Sequence, residues 1–183
     1  MSGGHAHADA SNKKVALLIV ILALFLALAE TLAKGSQTSA LAANVEASNL
    51  WAFFQAKTVR QTALRAQSEA AALVPGGDAE ALAKQQAAWK ASIARWESEP
   101  ETQEGRKELV MRAKKAETTR DTAMAKYHQF EIASAAFQVA IVMASAAIIT
   151  AVAALSFVAG GIGLIGAAFM AIGLFAPHAL HLF

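Results

Sequence analysis

Glu30 is the one ionisable residue inside the apolar stretch of residues 15–33, VALLIVILALFLALAETLA. A carboxylate in a membrane segment is a functional candidate by default, because holding a charge at the centre of a spanning helix costs about 2.5–3.5 kcal/mol. Lys34 stands one turn further on, so a structural Glu-to-Lys pair near the interface is the simpler reading. His5 and His7, with Asp9 beyond, offer nitrogen and oxygen donors to a divalent metal, but a tail of Gly, Ala and His holds metal weakly and without selectivity. His178 and His181 share a helical face if Pro177 starts a turn, yet two ligands do not make a site. His128 adjoins Tyr127 at a membrane edge, where amphipathic side chains collect. The chain has no cysteine, which removes disulfides, zinc thiolates, iron–sulfur ligation and a thiol nucleophile. It has no P-loop, dinucleotide fingerprint, GxSxG or HExxH, and its carboxylates form no recognisable acid/base pair. We therefore expect no catalytic residue, no cofactor and no metal site, and a protein that is not an enzyme.

The elements that position these residues follow from composition. Hydrophobic residues make up 56 % of the 183 and charged residues 16 %, against about 45–50 % and about 25 % in soluble domains. The excess lies in residues 15–33 and 132–182, while the middle is charged throughout. The net charge of +2 is too mild to argue for nucleic acid. Residues 15–33 reach about 28 Å as a helix, close to the roughly 30 Å hydrocarbon layer, and exceed the 7–15 or so apolar residues of a signal peptide. The C-terminal apolar region is too long for one span of about 20 residues. Two helices, 132–158 and 162–182, joined near Gly160–Gly161, are the expected solution, with Gly163, Gly166 and Gly173 as close-packing surface. No Asp, Glu, Lys or Arg occurs from 132 to 183, which argues against a carrier built from these helices and leaves a pore made of several copies open.

Residues 34–131 contain no further spanning run. Gly35-Ser36 is a weak break, and Pro75-Gly76-Gly77-Asp78 is the clearest turn, with Asp78 placed to cap a helix over about 79–99. Pro100 fits the first turn of a third helix with Ser98 as its cap, although Gly105 weakens that start. Leu109, Ala113, Ala116, Arg120, Ala123, Tyr127, Phe130, Ser134, Phe137 and Ile141 alternate steps of four and three, a coiled-coil seam that carries the third helix directly into the apolar region. Leu82, Gln86, Trp89, Ile93 and Trp96 form a shorter seam. Leu41, Val45, Ser48, Ala52, Gln55, Val59 and Ala63 form a small, partly polar one on the first helix. Trp51, Phe53, Phe54, Trp89 and Trp96 read as packing residues, and Arg112, Lys114, Lys115, Glu117, Arg120 and Asp121 as a solvated face.

The order of a His-containing tail, Lys13-Lys14, an apolar helix, the segment Asn49-Leu50-Trp51-Ala52-Phe53-Phe54-Gln55-Ala56-Lys57, a helical middle and an apolar pair resembles the bacterial membrane family known as domain of unknown function 4337. The resemblance implies three membrane helices and a bacterial inner-membrane location, and brings no activity or cofactor. The expected architecture is an all-α integral membrane protein: a tail (1–14), transmembrane helices over 15–33, 132–158 and 162–182, and a helical, coiled-coil extramembrane stalk over 34–131. Glu30, Asn49, Trp51, Phe53, Phe54, Gln55 and Lys57 are the candidate functional or assembly residues. Lys13 and Lys14 favour a cytoplasmic N-terminus and a periplasmic stalk, and Lys114, Lys115, Arg120 and Lys126 favour the reverse. The resemblance implies basic residues at the turn near Gly160–Gly161, which tips the reading to the periplasm, although this sequence is uncharged there. The expected role is a membrane scaffold or accessory protein whose partners are the bilayer, copies of itself and a larger membrane complex. An oligomeric channel or pore is the alternative, and a transporter or enzyme subunit ranks last.

Overall fold

The computed structural model describes the backbone of residues 3–74 and 78–180, with side chains from residue 12 onward. It comprises α1 (Gly3–Ala72), α2 (Ala79–Glu97), α3 (Arg106–Thr150) and α4 (Ala153–Phe175), with no strand among the described residues. The fold is all-α, and α1, α3 and α4 each carry an apolar window long enough to cross a membrane. Two expected interruptions are missing. The tail expected over 1–14 is helical from Gly3, and α1 passes Gly35 unbroken. A Cβ at Gly35 would meet nothing within 4 Å, so that glycine costs only its propensity, about 1 kcal/mol. Pro75, Gly76, Gly77 and His181, and the side chains of His5, His7 and Asp9, lie outside the described residues.

The described residues divide into two compact units, Met1–Ala40 with Asp121–Phe183, and Leu41–Arg120. In the first, Leu22, Ala29, Ala133, Phe137 and Ala140 form the core, with Leu18, Leu26, Ile141, Ile162 and Phe169 packed against it. Phe25 stacks on Phe137 with centroids 5.7 Å apart. The buried positions of α4 are Ala159, Gly163, Gly166 and Gly173, a seam of small residues. A Cβ on Gly163 would come within 2.6 Å of Leu22, and one on Gly173 within 2.7 Å of Phe130, so the helices approach as closely as glycine allows.

The hairpin between the two apolar C-terminal helices turns earlier in the chain than expected. Gly160 and Gly161 lie inside α4, and the break falls at Ala151–Val152. Ala151 takes φ 59°, the left-handed conformation that ends many helices, and Thr150 Oγ1 accepts from Val152 N at 3.4 Å. Length gives the reason. A helix over 132–158 would reach about 40 Å, whereas stopping at Thr150 leaves about 28 Å, which fits the hydrocarbon layer. The glycines then serve the packing seam. At the far end α4 stops at Phe175, because Ala176 precedes Pro177 and is pushed out of helical conformation. Ala179 N bonds Ala176 O at 2.9 Å in a single turn that carries His178.

In the second unit, Ala47, Leu50, Leu109, Ala113 and Ala116 form the core, with Trp51, Phe53 and Phe54 packed against it. Asp78 caps α2 as expected, its Oδ1 accepting from Glu80 N at 2.9 Å. The seams on α2 and α3 also appear as expected. Leu82, Gln86, Trp89, Ile93 and Trp96 are half-buried, and on α3 Leu109, Ala113, Ala116, Ala123, Phe130, Ser134 and Phe137 are all buried. Two expectations fail. Pro100 is not in the first turn of α3, which begins at Arg106; Ser98 instead caps the end of α2. The chain from Glu99 to Gly105 doubles back so tightly that a Cβ on Gly105 would sit 2.4 Å from Glu99 N and 2.7 Å from Ser98 Cα. The seam on α1 is also on another face. Leu41, Val45, Ser48, Ala52, Gln55, Val59 and Ala63 are exposed, and the buried line runs Ala40, Ala43, Ala47, Leu50, Lys57, Gln61, with Phe54 half-buried within it. Both lines alternate steps of three and four, the outer one as far as Val59. The inner one carries Lys57 and Gln61, polar residues that are buried because the fold pairs them.

Candidate functional site

The densest polar cluster lies where α1, α2 and α3 of the 41–120 unit meet. Inward-facing Phe54, Lys57, Thr58 and Gln61 on α1 meet Glu97 at the end of α2, Glu99 in the turn and Arg106 at the start of α3. Arg106 is the hub. Its Nη1 donates to Gln61 Oε1 and to Glu97 Oε2, both at 2.7 Å, and its Nε donates to Thr58 Oγ1 at 3.0 Å. Its guanidinium lies 5.0 Å from the Phe54 ring centre, a cation–π contact. Gln61, 2 % exposed, uses its Nε2 twice, toward Ile93 O and Glu97 Oε2, both at 3.2 Å. Lys57 Nζ reaches Glu99 Oε2 at 3.6 Å and lies 5.1 Å from the Phe53 ring centre.

Beside this hub Glu108 ties down the turn, its two oxygens accepting from Ser98 Oγ at 2.7 Å and Glu99 N at 3.1 Å. Arg112 Nη1 donates to Gln103 O at 3.1 Å. Two carboxyls are held below the usual glutamate range. For Glu97 the leading cause is the bond from Gln61, with the Arg106 charge assisting; for Glu108 it is the bond from Ser98, then that from Glu99 N. Both are ionised at neutral pH and already occupied by donors, which suits a clasp rather than proton transfer.

Trp51 belongs to the same inner face. Its Nε1 donates to Glu117 Oε1 at 2.8 Å, and its ring meets Phe54 edge-on with centroids 5.6 Å apart. Glu117 is therefore a partner of the core and not part of a solvated face. Of the candidates named from sequence, Trp51, Phe53, Phe54 and Lys57 come together here. Asn49 and Gln55 sit on the exposed side of α1. Sequence reasoning missed Gln61, Glu97, Arg106 and Glu108. The spacing of 47, 50, 54, 57 and 61 is the signal that could have found Gln61, but a lysine and a glutamine in the line hid it.

Glu30 lies in the other unit, exposed on α1. It accepts from Gln138 Nε2 of α3 at 3.4 Å, and no Glu30–Lys34 ion pair forms among the described residues. Elsewhere in that unit Thr122 Oγ1 lies 3.2 Å from His178 Nε2, and Gln129 Nε2 donates to Leu180 O at 3.4 Å. Among the described residues no group of three or more His, Cys, Asp or Glu is placed to hold a metal ion.

No match is found among curated proteins, and none among solved structures. One family model does match, over residues 11–176, which takes in the apolar part of α1, the whole clasp and all of α4. On that match the chain belongs to the family described as Domain of unknown function (DUF4337).

Proposed function

We propose that this protein is a membrane-anchored helical scaffold or accessory subunit that self-assembles in the bacterial inner membrane, with the 41–120 unit on the periplasmic side. The observation that carries the reading is the Glu30–Gln138 pair. These two polar side chains bond each other across α1 and α3, both are exposed, and the apolar stretches they stand in, 15–33 and 132–150, hold no other Asp, Glu, Lys or Arg. Polar groups facing lipid are costly, and membrane helices satisfy them by packing against other helices. A second copy brings the same donor and acceptor to the same place. The clasp supports a structural role for the other unit, since Lys57, Glu97, Glu99, Arg106 and Glu108 are all engaged with one another or with the turn they close.

Light scattering on the purified protein in mild detergent tests this. The expected result is a discrete multiple of 19.1 kDa after correction for detergent. A monomer at every concentration overturns it. The same pair favours a second reading, an oligomeric pore with Glu30 beside the path. Vesicles that pass no ions, with Glu30→Gln indistinguishable from the wild type, would remove that reading and leave the scaffold standing.

A further inference from the structure

The exposed line on α1 has the spacing of an interface and no partner within the described residues of its own unit. Leu41 is 62 % exposed, Val45 58 % and Val59 68 %, and they stand with Ser48, Ala52 and Gln55 at steps of four and three. The inner line of α1 already occupies α2 and α3, so this is a second seam on the opposite face. A 3.5-residue repeat is the pattern by which one α-helix mates with another along its length.

We infer that this seam packs, in parallel and in register, on the same seam of a second copy of this chain. Three features of the sequence select that occupant. First, α1 also carries the N-terminal apolar span, so copies inserted alike in one bilayer present α1 in the same direction. Second, parallel register sets Gln55 opposite Gln55 of the second copy. A side-chain amide has both donor and acceptor, so two in register satisfy each other, and a polar pair within an apolar seam is a known way to fix register. Third, register brings no like charges together. The positions flanking the seam are Ala42, Asn44, Asn49, Trp51, Ala56 and Thr58, all uncharged, while Glu46 and Arg60 stand off the seam and Lys57 faces inward. Small Ser48 and Ala52 let the backbones approach. A seam this modest suffices because anchoring in one membrane raises the effective concentration of copies.

The inference rests on the self-assembly reading, and cysteine crosslinking separates the two. The chain has no cysteine, so single substitutions report cleanly. Ala52→Cys on the seam and Glu46→Cys off it are both exposed and leave the interior untouched. Under mild oxidation in native membranes, Ala52→Cys is expected to form disulfide dimers at least tenfold faster than Glu46→Cys. Adding Gln55→Lys should slow the Ala52→Cys reaction, while circular dichroism shows unchanged helix content. If light scattering shows an oligomer but the two cysteines crosslink equally, the seam is wrong and self-assembly stands elsewhere. If light scattering shows only monomer, both fail together.

Discussion

Two glutamines six residues apart on α1 give the sharpest test of the fold. Gln55 is exposed and Gln61 is 2 % exposed, although the sequence alone favoured Gln55 as the inward residue. Replacing Gln61 by Leu removes three hydrogen bonds, to Arg106, Glu97 and Ile93 O. The one from the guanidinium is worth about 1.5–3 kcal/mol and the neutral one about 0.5–1.5 kcal/mol. The Glu97 side chain is 38 % exposed, so solvent screens its bond to about 0–1 kcal/mol. Burial of the leucine offsets roughly 1.5–2 kcal/mol of the total. The net loss is about 2 kcal/mol, equivalent to about 30-fold in the equilibrium between closed and open clasp. Hydrogen–deuterium exchange of the full-length protein in detergent reads this directly at the C-terminal turn of α2, residues 93–97. Gln61→Leu should lower protection there by about 30-fold, and Gln55→Leu should change it by about twofold or less, as surface substitutions shift stability by only about 0.5 kcal/mol. Equal protection in the two variants, or greater protection in Gln61→Leu, would refute the assignment of inner and outer faces.

Other substitutions test the α3–α4 hairpin and the turn between α2 and α3. Gly173→Ala places a Cβ within 2.7 Å of the Phe130 ring and should cost about 1–3 kcal/mol in detergent unfolding, whereas Gly160→Ala, with open space around it, should be neutral or gain about 0.4–1 kcal/mol. Ala151→Gly should stabilise by about 0.5–1 kcal/mol, because it relieves a left-handed alanine at a cost in chain entropy; no gain in the unfolding midpoint would argue against a turn at this residue. Gly105→Ala should disrupt the link between α2 and α3, seen as lost protection over residues 98–109, since its Cβ would collide with the backbone of Ser98 and Glu99. Glu97 and Glu108 have folded values below the ordinary glutamate value of 4.5, so the stability they contribute is complete above that pH and lost as pH falls through the lower folded values. Protection in the 41–120 unit should therefore be flat from pH 6 to 8 and fall in acid; a loss near neutral pH would contradict these assignments.

Much of this protein was legible in order along the chain. Three apolar runs of bilayer length, few breakers and no cysteine determined an all-α membrane protein with three candidate spans, because hydrocarbon admits only segments that satisfy their own backbone. The α2 and α3 seams and the Asp78 cap were readable because one apolar line stood out on each helix, and a cap acts within three residues. Local spacing could not decide between two equivalent lines on α1. Lys57 and Gln61 look like surface residues until Glu99, Glu97 and Arg106 arrive from distant positions to pair with them. The hairpin turn was misread for the same kind of reason. A glycine pair permits a turn but also permits close packing, and only the approach of Leu22, Phe130 and Phe137 to α4 shows that its glycines serve the second use. Pairing of buried charge and the closeness of two helices are properties of residues far apart in sequence, so the tertiary structure alone decides them.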